Sequence, residues 1–269
     1  MASLFRTLFS ASSPKPRHAV PPGSRYYLIG DIHGRLDLFD RMIEAIDDDD
    51  RQGAEANSTV VLLGDLIDRG PDSAGVIGRA RDWQQQRAVR ILAGNHEEMF
   101  LESFEDQAIL RHFLRHGGVQ TLRSYGIAMD DIADGPMDRL QDLLHAAVPE
   151  ADRAFVQGFE DCIVAGDYLF VHAGIAPGVP VDQQKSSDLR WIRERFLSHR
   201  DPHPQLVIHG HTVQEAIDEQ PNRIGIDTGA YRTGVLTTLV LEGEERRSLQ
   251  AVDHKGKIAI RRGAIGLRN

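Results

Sequence analysis

The chain has a single cysteine, Cys162, in 269 residues. No disulfide can close within it, and a reducing cytoplasm is the compartment that fits. Cys162 has no reactive motif around it and reads as a small core residue. No apolar run approaches the length of a membrane span, so no stable membrane insertion is expected. Basic residues are also scarce: 31 Lys and Arg stand against 40 Asp and Glu, a net charge of −9. That sign excludes nucleic acid as a main partner, because a phosphate backbone needs a basic face. With 41% hydrophobic and 26% charged residues, the remaining class is a soluble globular enzyme.

The first segment is set apart. Residues 1–23 hold Arg6, Lys15 and Arg17, no acid, and Pro14, Pro16, Pro21 and Pro22. Leu4, Phe5, Leu8 and Phe9 are too short and interrupted a run for a secretory signal. Residues 1–23 are expected to form a flexible N-terminal arm, and residues 24–269 the folded domain.

Within the domain, short apolar runs alternate with helical spacing. Leu36, Phe39, Met42, Ile43 and Ile46 follow the first run, and Val76, Ile77, Ala80 and Trp83 follow the second. This βαβαβ pattern implies a parallel sheet with right-handed crossovers. The Asp47–Asp50 run reads as a solvated helix end. Residues 96–158 read as a mostly helical insertion capping one side of a site, with Met137, Leu140, Leu143, Leu144 and Val148 as one stripe. Residues 160–172 read as a hairpin turning at Ala165-Gly166-Asp167. Strands are expected over 206–209, 223–227, 235–241, 248–252 and 257–261. The two halves then suggest two sheets face to face with helices outside.

Chemistry gathers where the apolar runs stop. Tyr26–Ile29 runs into Gly30-Asp31-Ile32-His33-Gly34, and Val60–Leu63 into Gly64-Asp65-Leu66-Ile67-Asp68-Arg69-Gly70. Val89–Ala93 runs into Gly94-Asn95-His96-Glu97, Tyr168–Val171 into His172-Ala173-Gly174, and Leu206–Ile208 into His209-Gly210-His211. Open α/β sheets bind ligands at the carboxyl ends of their strands, so these ends should converge. Oxygen ligands mixed with imidazoles suit manganese, iron or zinc. If Asp31-Ile32-His33 stays extended, Asp31 and His33 share a face and can hold one metal. Asp65 could bridge two metals, with Asn95, His172 and His211 completing the second. Phosphatases use two such ions about 3.5–4 Å apart to clamp attacking and leaving oxygens.

Taken in order, Gly-Asp-x-His-Gly, Gly-Asp-x-x-Asp-Arg-Gly, Gly-Asn-His-Glu, His-Ala-Gly and Gly-His resemble the signature of the PPP-type metallophosphatases. That family holds the eukaryotic serine/threonine protein phosphatases, the phage lambda phosphatase and the bacterial diadenosine tetraphosphatases. The resemblance spans roughly residues 25–241. It implies the calcineurin-like four-layer α/β/β/α sandwich, with Asp31, His33 and Asp65 on one metal and Asp65, Asn95, His172 and His211 on the other. Manganese is the usual ion of bacterial members. By motif position His96 would be the general acid, Asp68 would hold its tautomer, and Arg69 would bind phosphate. A second arginine, Arg193 in preference to Arg190, would come from Asp188–Glu194. Ala93 departs from the Arg or Lys that phage-like members often carry there. His209 is read as structural, Glu97 as complementing a helix start, Trp191 as packing, and His116-Gly117-Gly118 as a turn at the site rim.

The sequence thus predicts a binuclear phosphoesterase in which a metal-bridging hydroxide attacks phosphoserine or phosphothreonine in proteins, with small phosphoesters also accepted. Symmetrical diadenosine tetraphosphate hydrolysis is the alternative, and those relatives often lack the aspartate that stands here as Asp68. An inactive metal-binding regulatory protein is a further alternative, disfavoured because every ligand and the acid are present.

Overall fold

Side-chain alternation along the strands decides the layering of this chain. The computed structural model describes residues 18–265. In chain order its strands are β1 (Ser24–Ile29), β2 (Asn57–Leu62), β3 (Val89–Ile91), β4 (Cys162–Ala165), β5 (Tyr168–Val171), β6 (Leu206–His209), β7 (Asp218–Glu219), β8 (Arg223–Gly225), β9 (Val235–Glu242), β10 (Glu245–His254) and β11 (Lys257–Ala264). Tyr27 and Ile29 of β1, with Val60 and Leu62 of β2, point into one core. Leu28 and Val61, one residue out of phase, point into another. A period of two makes this division unavoidable for strands buried on both faces.

The first sheet runs β11-β10-β9-β1-β2-β3 and the second β4-β5-β6-β8-β7. β1, β2 and β3 are parallel neighbours, as the alternation of strand and helix predicts. Helices α1 (Leu36–Gln52) and α2 (Ser73–Gln86) cover the outer face of the first sheet through Phe39, Met42, Ile46, Val76, Ile77 and Trp83. Between the sheets Leu28, Val61, Leu239 and Leu241 meet Ile163, Phe170, Ile208 and Ile224. The far face of the second sheet, Leu169, Val171 and Val207, packs on Leu189, Ile192 and Phe196. Leu189 lies in a short helix, Ser186–Trp191, and Phe196 in another, Glu194–Leu197. The result is helix, sheet, sheet, helix: the four-layer sandwich.

Three expectations change. The halves of the chain do not map onto the sheets, because β9 returns beside β1 as an antiparallel partner and carries β10 and β11 with it. Periodicity names a strand's faces, not its neighbours. The Asp47–Asp50 run is not a bare solvated end. Asp47 pairs with Arg87, Asp49 with Arg247 and Tyr27, and Asp50 with Arg25, Arg87 and Ser58. Arg25 is buried, so removing it would strand carboxylates. Residues 18–20, expected within the arm, are held on the domain: the Ala19 amide donates to Asp167, Val20 donates to Gly243 and Tyr168 donates to the His18 carbonyl. Residues 1–17 of the expected arm lie outside the described residues. The hairpin turning at Ala165-Gly166-Asp167 forms as β4 and β5.

The helical block runs from α3 (Asn95–Glu102) through α4 (Gln107–Phe113), α5 (Val119–Ser124), α6 (Met129–Asp134) and α7 (Met137–Ala147) to α8 (Glu150–Gln157). A wide turn, Leu114–Gly118, joins α4 to α5, and Gly117 there takes φ 117°. Leu110, Phe113, Leu122, Leu140 and Leu144 bury the block against the first sheet's outer core.

The inter-sheet layer gives a stability test. Phe170 is fully buried and meets the Tyr26 ring at 5.4 Å. Phe170→Ala should cost about 3–5 kcal/mol in denaturant unfolding. A loss below about 1 kcal/mol would show that the two sheets do not depend on this layer.

Candidate active site

Asp31, Asp65, His172, His211 and Asp227 lie just past the ends of β1, β2, β5, β6 and β8, and Asn95 opens α3 after β3. The parallel pairs β1–β2–β3 and β5–β6–β8 bring these ends to one rim. The loops there are strained. Of six non-glycine residues with positive φ among the described residues, five are His33, Asp65, Asp68, Arg69 and His211. Such conformations cost of order 1–3 kcal/mol each and persist only where surroundings enforce them. One expectation fails here: His33, at φ 46°, has left the extended conformation, so a turn and not strand alternation aims its ring at Asp65. Close approach explains two of the glycines. A Cβ on Gly94 would meet Asp65 Oδ1 at 2.2 Å, and one on Gly210 would meet Asp31 Oδ1 at 2.1 Å.

Asp65 sits at the centre. Its Oδ1 lies 3.4 Å from His172 Nε2, and its Oδ2 lies 3.6 Å from His33 Nε2 and 3.9 Å from His96 Nε2. His172 Nε2 also stands 3.2 Å from Asn95 Oδ1. Two overlapping donor clusters result, His33–Asp65–His96 and Asp65–His172–His211, each with its donor atoms within 4.8 Å of one another. Asp31 accepts the His211 amide with both oxygens, at 3.1 and 3.0 Å. The six residues expected as ligands therefore share one buried place, with His96 beside them.

Tautomers are set from behind. His33 Nδ1 donates to the Ile67 carbonyl at 2.7 Å and His172 Nδ1 to the Leu63 carbonyl at 2.7 Å, so both rings face Asp65 with Nε2. Burial holds His33 well below the ordinary histidine range. Burial and the nearby His172 charge push His211 down to about 2. For His172, burial is outweighed by Asp65, and its value rises to about 10. Asp65 stays well below the carboxylate range, its desolvation offset by His172, His96 and His33. Burial and Asp227 raise Asp31, and burial raises Asp227 itself.

His96 and Asp68 form a pair of their own. His96 Nδ1 meets Asp68 Oδ2 at 2.5 Å, leaving Nε2 toward the cluster. Burial works against the imidazolium, but Asp65 and Asp68 together hold His96 above its usual value. Asp68 is in turn clamped by α5 and α2: the Thr121 hydroxyl donates to Asp68 Oδ1 at 2.5 Å, and the Asp68 amide donates to Ser73 Oγ at 2.9 Å and Thr121 Oγ1 at 3.0 Å. The helical block thus fixes the orientation of the His96 ring.

Arg69 reaches across this group, donating to His33 Nε2 at 2.8 Å and His96 Nε2 at 2.9 Å. Its guanidinium also lies 4.8 Å from the Tyr231 ring centre. Arg190 is committed elsewhere, to Asp161 and Glu98. Arg193 is exposed, and its charge reaches His211. Trp191 donates to Glu98 and packs on the helical core. Ala93 is buried with its amide donating to the Glu160 carbonyl, and its methyl brings no cation to the site. His209 is buried away from the cluster, bonded to the Gly210 carbonyl. Glu97 does more than complement a helix start: its carboxylate accepts the amides of Asp65, Leu66 and Gly94, tying the β2 and β3 loops together.

Sequence reasoning passed over Thr121, Ser73, Tyr231 and Asp227. Nothing local marks Thr121 or Ser73, which act through folding distant segments together. Asp227 did carry a signal, because Ile224-Gly225-Ile226-Asp227-Thr228-Gly229 is another apolar run closed by a carboxylate and a glycine.

The donor set fits divalent metal ions. Asp31, Asp65 and Asp227 are three buried carboxylates in mutual repulsion, and His211 Nε2 and Asp227 Oδ2 are buried without a hydrogen-bond partner. A cation answers both, at the cost of displacing the proton on His172 and the Arg69 bond to His33. Manganese binding should therefore release protons and tighten as pH rises, because the His172 proton that Asp65 stabilises must leave. Added manganese should also raise the melting temperature, by the equivalent of about 2.7 kcal/mol at a hundredfold excess over Kd. Asp65→Asn should lose most of the bound metal and this stabilisation. Two tightly bound ions in that variant would contradict the shared role of Asp65.

Comparison with known proteins agrees with this geometry. The chain is 30% identical over 222 residues to serine/threonine-protein phosphatase 1 of Salmonella typhimurium, covering 78% of this chain and 89% of the relative. It is 28% identical over 270 residues to a zinc-dependent endopolyphosphatase of Saccharomyces cerevisiae, covering 84% and 78%. A crystal structure of a candidate diadenosine tetraphosphatase superposes with a TM-score of 0.57 at 20% identity, over 93% of this chain and 100% of the other. The family model for calcineurin-like phosphoesterases matches residues 24–227. Its span takes in all six expected ligands, His96, Asp68 and both candidate arginines, and the chain belongs to the calcineurin-like phosphoesterase family.

Proposed function

We propose that this chain is a serine/threonine protein phosphatase that hydrolyses phosphoserine and phosphothreonine with two divalent ions, manganese first among them. The observation that carries the reading is the Asp68–His96 pair, whose Nε2 faces the donor cluster and meets Arg69. A poor leaving group such as a serine alkoxide needs a positioned proton, and a His–Asp pair supplies one. The likeness to the Salmonella phosphatase supports the same substrate class. With Cys162 alone and no described helix long and apolar enough to cross a membrane, a cytoplasmic site of action fits.

Asp31, His33 and Asp65 would hold one ion, and Asp65, Asn95, His172 and His211 the other. Bound there, the pair of ions would neutralise phosphoryl charge and acidify an attacking water. Arg69 takes phosphoryl oxygens once released from the imidazoles, and its planar donors suit them. Arg193, exposed and near enough for its charge to act on His211, would be the second arginine. His96 Nε2 gives its proton to the departing oxygen while Asp68 steadies the imidazole. Thr121 acts through Asp68, holding the carboxylate in line.

Kinetics on leaving groups test this. His96→Asn should keep both metals and lose roughly 10²–10⁴-fold in turnover on phosphoserine peptides. The loss should shrink on 4-nitrophenyl phosphate, whose leaving group needs little protonation. Asp68→Asn should follow the same pattern more mildly. Equal losses across leaving groups would remove the general acid, and loss of a metal would make His96 a ligand. Diadenosine tetraphosphate and a phosphopeptide belong in the same assay. Efficient symmetrical cleavage of the dinucleotide with negligible peptide turnover would reverse the substrate assignment.

A further inference from the structure

A basic ledge stands on the rim of the site in a chain that is otherwise acidic. Residues 107–129 contain no Asp or Glu, yet they carry Arg111, His112, Arg115, His116 and Arg123. Arg111 and Arg115 are four residues apart, as are His112 and His116, so two adjacent rows run along the face of α4 and the wide turn after it. The opposite side of the same segment, Leu110 and Phe113, is buried. Arg111, Arg115 and His116 are exposed. Arg111, Arg115 and Arg123 make no ion pair among the described residues, whereas Arg41, Arg51 and Arg139, also exposed and on helices, each pair with an acid three or more residues away. The two imidazoles lie 4.0 Å apart at their centres, and the charges facing His112 are His116 and Arg115.

The ledge is also joined to the proposed phosphate-binding arginine. Gly117, next to His116, accepts the Arg69 amide through its carbonyl at 3.1 Å, and a Cβ there would meet Arg69 Cγ at 2.7 Å. By backbone dimensions, His116 Cα therefore lies within about 10 Å of the Arg69 nitrogen. A group bound to Arg69 would have its flanks over these cations.

We propose that this ledge selects phosphopeptides with acidic side chains beside the phosphorylated residue. The inference rests on the phosphoprotein reading above and adds a substrate preference to it. Spacing favours a peptide as the occupant. Arg111 and Arg115 are separated by about 6 Å along a helical axis, and alternate side chains of an extended peptide by about 6.6 Å. Two acids at alternate positions can then pair with two arginines at once.

The test compares three phosphothreonine peptides, flanked at alternate positions by Glu, Gln or Lys, on the manganese-loaded enzyme and on an Arg111→Gln, Arg115→Gln double variant. The native enzyme should favour the Glu peptide over the Gln peptide by roughly three- to tenfold in kcat/KM, mostly through KM, as two exposed pairs allow. The Lys peptide should be worst. The preference should fade at about 0.5 M salt. In the double variant the Glu-to-Gln ratio should approach one while turnover of 4-nitrophenyl phosphate is unchanged. An absent preference, or one that survives in the double variant, would overturn the ledge while leaving the phosphatase reading in place. Failure to turn over any phosphopeptide, with 4-nitrophenyl phosphate still hydrolysed, would remove both.

Discussion

One buried carboxylate organises this molecule. Asp65 stands among the imidazoles of His33, His96 and His172, and is tied through its amide to Glu97. Isolated, such a charge would be expelled or neutralised. Here three rings offset its desolvation, and the rings are themselves fixed by backbone carbonyls or by Asp68. The glycines at 94 and 210 exist because other atoms crowd against these carboxylates. The positive φ angles of His33, Asp65 and His211 are the backbone's share of the same constraint. Evidence of strain and evidence of chemistry fall on the same residues, as expected where function sets the local geometry.

The layers serve this centre in different ways. Both sheets contribute strand ends that carry candidate ligands, so the site is assembled only when the inter-sheet core closes. The helical block contributes no expected ligand beyond Asn95, yet it governs orientation. Thr121 reaches from α5 to Asp68, and Gly117 bonds the Arg69 amide. The same block carries the basic ledge. The proposed proton delivery, phosphate binding and substrate flanks are thereby linked to one insertion, which can vary without disturbing the strands that carry the candidate ligands.

Much of this was legible in the sequence because strands bury alternate faces and end in glycine. Asp31, Asp65, Asn95, His172 and His211 announce themselves as polar residues closing apolar runs, and their convergence follows from parallel topology. His33 was found by the right motif through the wrong local geometry, since a turn and not an extended strand places it. The return of β9 to the first sheet was hidden, because Leu239 and Leu241 reveal a buried face but not the strand beside them. Thr121 and Ser73 were hidden for a related reason: a hydroxyl becomes a clamp only when a distant helix docks. The Asp47–Asp50 run looked solvated because its arginines, Arg25, Arg87 and Arg247, come from three other segments.

The central claim is that two ions share Asp65, and anomalous diffraction from manganese-loaded crystals addresses it directly. The account predicts two peaks on either side of Asp65, one against Asp31 and His33, the other against Asn95, His172 and His211, with His96 bound to neither. A single peak, or a peak coordinated by His96 Nε2, would contradict it.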